Sequence, residues 1–156
     1  MPRRSRLFKR EILPDPKYGN TTITMFMNKL MMKGKKTTAQ KIVYDAFNII
    51  EKQTKKEPLE VFNDALKNST PLLQVKARRV GGATYQVPIE VPANRGMTMA
   101  MRWLINYSRE RSGHSMAEKL AAELINASQG EGATIKKRQD VHKMAEANRA
   151  FAHFRW

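Results

Sequence analysis

Arg95, Arg102 and Arg109 recur every seven residues, a spacing that sets them near one line along a helix. A row of guanidinium groups offers planar, bidentate donors for phosphate or carboxylate. Other cations gather in runs. Arg3, Arg4, Arg6, Lys9 and Arg10 crowd the first ten residues, with no acid among them. Lys33, Lys35, Lys36 and Lys41 cluster further on. Lys76, Arg78 and Arg79 stand just before Gly81-Gly82, and Lys136, Lys137 and Arg138 are adjacent. The chemistry open to these types is neutralisation of a polyanion, since each phosphate contact releases counterions. One such run reads equally well as a solvated face; five together do not. The total agrees, with 29 Lys and Arg against 14 Asp and Glu, a net +15 over 156 residues.

The charge is also uneven. Residues 112–133 carry Glu118, Glu123 and Glu131 against Lys119 alone, and Glu57, Glu60 and Asp64 face Lys67. A basic face and a near-neutral or acidic face are expected. Tyr85, Trp103, Phe154 and Trp156 could stack on bases, although Trp103 falls on an apolar stripe and reads better as core.

Other chemistries find no support. The run around Gly34-Lys35 has Lys29 where a phosphate loop needs glycine and Lys36 where it needs Ser or Thr. Gly81-Gly82 is no dinucleotide fingerprint. With no cysteine and three histidines, a zinc set cannot be assembled; His142 and Glu146, four apart, read as a helix-surface salt contact. No serine stands in a nucleophile context. No enzyme activity, cofactor, metal or small-molecule substrate is therefore expected. No run reaches the ~20 apolar residues of a membrane span, and the basic N-terminus lacks the apolar stretch of a secretory signal.

The elements that must position these groups are mostly helical. Pro14 and Pro16 disfavour helix before them, so residues 1–19 read as an extended basic arm. Ile23, Phe26, Met27, Leu30 and Met31 keep helical spacing, stopped by Gly34. Thr37 or Thr38 can cap a second helix with the stripe Ala39, Ile42, Val43, Ala46, Phe47 and Ile50. Pro58 suits the first turn of a third, which buries Leu59, Phe62, Ala65 and Leu66.

The period then changes from 3.6 to 2. Leu73, Val75 and Ala77 alternate with polar residues, as do Tyr85, Val87, Ile89 and Val91 after the glycines, the signature of a β-hairpin. A two-residue Gly81-Gly82 turn would set Arg78 opposite Tyr85 and mix the two faces. A three-residue loop, Val80 to Gly82, pairs Ala77 with Tyr85 and Val75 with Val87, and is expected because register follows the apolar face. A fourth helix comes next at about 95–111, with Ala100, Trp103, Leu104 and Tyr107 inward. A fifth starts at a Ser115–Glu118 capping box and ends at Gly130. A sixth spans 134–150, with Ile135, Val141, Met144, Ala145 and Asn148 on one side. The fold class is mainly α: a six-helix bundle with one projecting β-hairpin. Residues 1–19 are the arm, 20–150 a single helical domain including the hairpin at 72–91, and 151–156 an aromatic-basic tail.

KARRVGGATYQVPIEV (76–91) resembles the family of bacterial-type ribosomal protein seven of the small subunit. The resemblance continues, in order, through ILPDPKYG (12–19), MMKGKKTTAQKIVYDA (31–46), MAMRWL (99–104) and KKRQDVHKMAEANRAFAHFRW (136–156). It implies a helical bundle with an extended hairpin that binds the 3′ major domain of small-subunit ribosomal RNA and organises assembly of the subunit head. It implies a place at the subunit interface near the exit-site tRNA and the mRNA path, beside small-subunit ribosomal protein eleven and other head proteins. The setting would be the cytoplasmic ribosome of a bacterium, or a plastid stroma. Carried onto this chain, the RNA contacts would be Arg3, Arg4, Arg6, Lys9 and Arg10 of the arm and Lys33, Lys35 and Lys36 of the first loop. Lys76, Arg78, Arg79 and Tyr85 of the ribbon would join them, as would Arg95, Arg102 and Arg109, and Lys136, Lys137 and Arg138. Val80, Gly81, Gly82 and Ala83 at the ribbon tip, with Arg149, would lie nearest tRNA and mRNA.

Overall fold

The Asn20 side chain accepts a hydrogen bond from the Thr22 amide at 2.7 Å, satisfying a donor that a helix start leaves orphaned. There α1 (Thr21–Leu30) begins in the computed structural model, which describes residues 11–154. α2 (Lys36–Thr54) and α3 (Pro58–Ser69) come after it, the latter with proline at its first position. The antiparallel pair β1 (Leu73–Val80) and β2 (Ala83–Glu90) separates them from α4 (Ala93–Glu110), α5 (Met116–Ser128) and α6 (Ala133–Ala147). A short 3-10 helix, Arg149–Phe154, closes the described chain.

α5 is the central helix. It packs on α2, α3 and α4, and its Leu120, Ala121, Leu124 and Ala127 are wholly buried. The aromatic part of the core lies among α1, α2 and α3. Phe62 meets Phe26 edge-on at 5.3 Å between ring centroids and Phe47 at 5.7 Å, arrangements that add to plain burial.

Several boundaries differ from the sequence reading. α2 starts at Lys36, so Thr37 and Thr38 sit inside its first turn rather than at its cap. Lys33 and Gly34, with φ of 51° and 75°, reverse the chain so tightly that helix begins at once. Met31 lies just past α1 as its C-cap. The Ser115–Glu118 box is altered. Ser115 accepts from the Glu118 amide at 3.2 Å, but the Glu118 carboxylate accepts from the His114 amide at 3.3 Å rather than from that of Ser115.

Trp103 is half-buried, not core. The inward face of α4 is Gly96, Ala100, Leu104 and Ser108 with Met101 and Ile105, one position round from the expected stripe. Gly96 sets that rotation. A Cβ there would lie 2.9 Å from Thr70 Cγ2 and 3.2 Å from the Pro71 carbonyl oxygen, so only glycine allows the helix this close.

The hairpin register corrects the expectation outright. The turn is the two-residue Gly81-Gly82, and Arg78 pairs with Tyr85, Lys76 with Val87, Ala77 with Gln86 and Val75 with Pro88. Both turn glycines have positive φ, 57° and 91°, the backbone a two-residue reversal needs to match strand twist. Turn geometry therefore overrode the apolar pairing. The mixed face is tolerable because long basic side chains carry their charge out past apolar neighbours. Val87 is buried, Arg78 half-buried and Lys76 exposed on that one face.

The tail also differs. α6 ends at Ala147, not 150, and its Met144 is 49% exposed although expected inward. Phe151 and Phe154, three apart on the 3-10 helix, fall on one side of it. Their rings lie 5.2 and 5.1 Å from that of Tyr85.

α6 has no N-cap side chain of its own, since Gly132 holds that position. Glu123 of α5, only 1% exposed, caps it from outside. Its Oε1 accepts from the Thr134 amide at 3.1 Å and the Thr134 hydroxyl at 2.7 Å. Its Oε2 pairs with Arg111 at 2.9 Å. Glu123→Ala should cost about 3 kcal/mol, because it strips the cap and unpairs Arg111. Chemical denaturation measures this, and a loss below ~1 kcal/mol would show the knot to be dispensable.

Candidate nucleic-acid interface

α1 and α4 lie side by side, and their packing assembles cations that are far apart in sequence. Arg102 and Arg109 line a hollow of about 260 Å3 together with Lys29, Asn106 and Ile105. Arg109 Nη2 donates to the Leu30 carbonyl at 3.3 Å, which steadies one guanidinium while satisfying the end of α1. Lys35 joins from the α1–α2 loop, bordering with Arg109 an adjoining groove floored by Leu30, Met31, Ile42 and Met116. Lys29 was missed in the sequence because it belongs to no run of cations. Its place in the last turn of α1, three and four residues from Phe26 and Met25 on the polar side of the stripe, was the available signal.

The other expected contacts divide into groups. Lys33, Lys36 and Arg95 are exposed, as are Lys76, Arg79 and Lys136. Lys137, Arg138 and Arg78 are half-buried. Arg3, Arg4, Arg6, Lys9 and Arg10 lie outside the described residues. Arg138 has a structural partner: a guanidinium nitrogen donates to the Asn68 carbonyl. The Asn68 amide in turn donates to Ala127 and Ser128 carbonyls at 3.1 and 2.9 Å. A cation at two helix C-termini is favourably placed against their dipoles, so Arg138 braces α6 on α3 and α5.

The arm's nearer end is docked. Asp15 is buried and accepts from the Lys17 and Tyr18 amides at 3.1 Å each and from the Tyr44 hydroxyl at 2.8 Å. Tyr18 packs edge-on against Phe47 at 5.3 Å. Burial raises the Tyr44 hydroxyl's pKa above its ordinary value, the first of several causes.

The hairpin is fastened at two levels. Near the tip, Tyr85 is covered by Phe151 and Phe154, so this ring is engaged within the chain. The exposed tip residues Gly81, Gly82 and Ala83, half-buried Val80 and exposed Arg149 thus belong to one unit of ribbon and 3-10 helix. At the base, the Leu72 amide donates to His142 Nε2 at 3.0 Å. His142 therefore turns to the hairpin instead of pairing with Glu146 as expected. Burial and then the nearby Arg138 charge lower its pKa below the ordinary 6.5, which keeps the accepting nitrogen unprotonated.

The acidic side is weaker than its sequence implied. Glu123 is buried and paired, leaving Glu118 and Glu131 exposed near α5. Glu60 and Asp64 border a separate hollow with Lys56 and Gln129. Among the described residues no three His, Cys, Asp or Glu side chains could hold a metal, and no helix is long and apolar enough to cross a membrane.

A family model described as ribosomal protein S7p/S5e matches residues 2–149. Proteins of Moorella thermoacetica and Dehalococcoides mccartyi, each named small ribosomal subunit protein uS7, are 61% identical over 156 residues, with both chains fully covered. The protein of that name from Cellvibrio japonicus is 59% identical over the same span.

The His142 latch is testable without any ligand. Its folded-state pKa lies below the unfolded value, so its contribution is complete above about pH 6.5 and declines as pH falls through the lower, folded value. Stability of the native chain should therefore drop more on acidification than that of His142→Gln. Parallel pH profiles of denaturation midpoint for the two would show His142 uninvolved.

Proposed function

This chain belongs to the ribosomal protein S7p/S5e family and is a structural, non-enzymatic protein of the small ribosomal subunit; on that footing we propose that it binds the 3′ major domain of small-subunit ribosomal RNA and organises assembly of the subunit head. Its working place is the ribosome in the cytoplasm. The observation that carries the reading is the convergence of Lys29, Lys35, Arg102 and Arg109 from α1, the loop after it and α4.

Separate RNA helices repel one another. A rigid body that presents cations at fixed separations neutralises each helix where they must meet, without ordering long side-chain-bearing loops at that moment. The helical core supplies that rigidity, because close-packed interiors deform little. Recognition would rest on backbone shape and 2′-hydroxyls, with few base edges read. Arg79 and Lys76 on the ribbon and Lys136 at the start of α6 would extend the contact, with Lys33, Lys36 and Arg95 at its other parts. Arg138 and Tyr85, engaged within the chain, would contribute by holding their elements in place. The ribbon tip from Val80 to Ala83 and Arg149 would face exit-site tRNA and the mRNA path, with small-subunit ribosomal protein eleven as a neighbour.

A basic ribbon can also bend duplex DNA, but such ribbons drive an apolar wedge or proline between base steps. The tip here is glycine, and Pro88 is paired with Val75 well back from it.

Footprinting of the small-subunit RNA with and without the protein tests the reading directly, protection of the 3′ major domain being the expected result. Arg102→Ala with Arg109→Ala should weaken binding uniformly across RNA sequences and lower the slope of log affinity against log salt by about two. Unchanged affinity and slope in a folded double variant would remove this hollow from the interface. Preference for duplex DNA over the structured RNA at equal salt would overturn the reading itself.

A further inference from the structure

Segment 11–16 does not lie flat on α1 and α2. Between them is a hollow of about 470 Å3, separate from the Arg102–Arg109 row. Leu13, Pro14 and Met27 give it apolar walls, and Leu13 is left 76% exposed. Against these walls stand three uncharged polar groups. Thr24 is only 8% exposed, and its buried hydroxyl has no hydrogen-bond partner among the described residues. A native interior seldom leaves such a group unpaired, because its desolvation is uncompensated. Asn28 is exposed on α1, where its carboxamide can reach a ligand in the hollow. Gln40 is oriented: its Nε2 donates to the Tyr44 hydroxyl at 2.9 Å, and that hydroxyl donates to Asp15 at 2.8 Å. This leaves the Gln40 carbonyl oxygen as an acceptor.

The charges sort the ligand further. Lys36 borders the hollow and suits a phosphate. Asp15 borders it too, but its carboxylate already takes three donors. Glu11, also on the border, disfavours phosphate on its own side. Apolar walls with a few convergent polar groups and one cation suit a heteroaromatic ring that carries a phosphate.

We propose that this hollow seats one unstacked nucleotide of the bound RNA, with adenosine preferred over uridine. The base lies between the aliphatic walls, as splayed-out bases do on protein surfaces. The Asn28 carboxamide pairs with the N6 and N7 edge of adenine, the match that a side-chain amide makes bidentately. The Gln40 carbonyl accepts from a remaining donor, and Lys36 meets the phosphate. The inference rests on the RNA-binding reading above and adds a point of base selection to a surface otherwise read as backbone-directed.

The test uses the full chain with isotope-labelled methyl groups, titrated with adenosine monophosphate, uridine monophosphate and inorganic phosphate and followed by NMR. Saturable shifts at the Thr24, Leu13 and Met27 methyls are expected with the adenosine nucleotide, and about tenfold weaker binding of the uridine nucleotide. Asn28→Ala, an exposed helical change that leaves the core alone, should erase that difference. Equal shifts with inorganic phosphate, equal binding of both nucleotides, or no shift at millimolar concentrations would each overturn the proposal. The same samples are tested on the 3′ major domain RNA. Retained RNA binding beside any of those results confines the failure to this hollow, whereas absent RNA binding fails the broader reading.

Discussion

A single buried carboxylate holds the arrangement together. Glu123 sits inside the bundle, and its two oxygens satisfy the start of α6 and the guanidinium of Arg111 just beyond the end of α4. Burying a charge is costly unless it is paired and hydrogen-bonded. Here the carboxylate, itself on α5, is satisfied by groups from two other elements, so α4, α5 and α6 must meet in one way. Gly132, with φ of +95° and Asn126 Cβ 3.3 Å from where its own Cβ would be, lets the chain turn tightly enough to bring Thr134 there.

α6, once fixed, sets the pose of the projecting parts. The hairpin leans on α6 through β1, and His142 receives the Leu72 amide at its base. The 3-10 helix continues from α6 and lays Phe151 and Phe154 on Tyr85. An isolated two-stranded hairpin is marginal in water. This one is stable because the same helix supports it at the base and, through the tail, near the tip. Arg138 completes the bracing by joining α6 to the carbonyl ends of α3 and, through Asn68, α5.

The cations on α1, the first loop and α4 raise the opposite problem, since like charges held together repel. The body tolerates them because they lie at the surface, where water and salt screen them. That same position makes them available to a polyanion, whose binding relieves the repulsion. The acidic surface elsewhere is thinner than residue counting suggests, because Glu123 has been withdrawn into the interior.

All six helices were legible from apolar spacing, because burial of one face is a local pattern repeated every 3.6 residues. So were the hairpin, from its period of two, and the cationic runs, which need only adjacency. Three things were not. The register hung on a conflict between two local signals, adjacent glycines that favour a two-residue reversal and an apolar pattern that favours a three-residue loop, and only the folded chain decided between them. The rotation of α4 depended on how near Gly96 could come to Thr70 and Pro71. The roles of Arg138, Glu123, His142 and Tyr85 depended on partners 11 to 70 residues away. Sequence alone determined the elements and the sign of the surface, because those arise from neighbours along the chain. Tertiary structure decided which charges act together and which are held inside, because hydrogen-bond satisfaction of buried groups is a property of the packed whole.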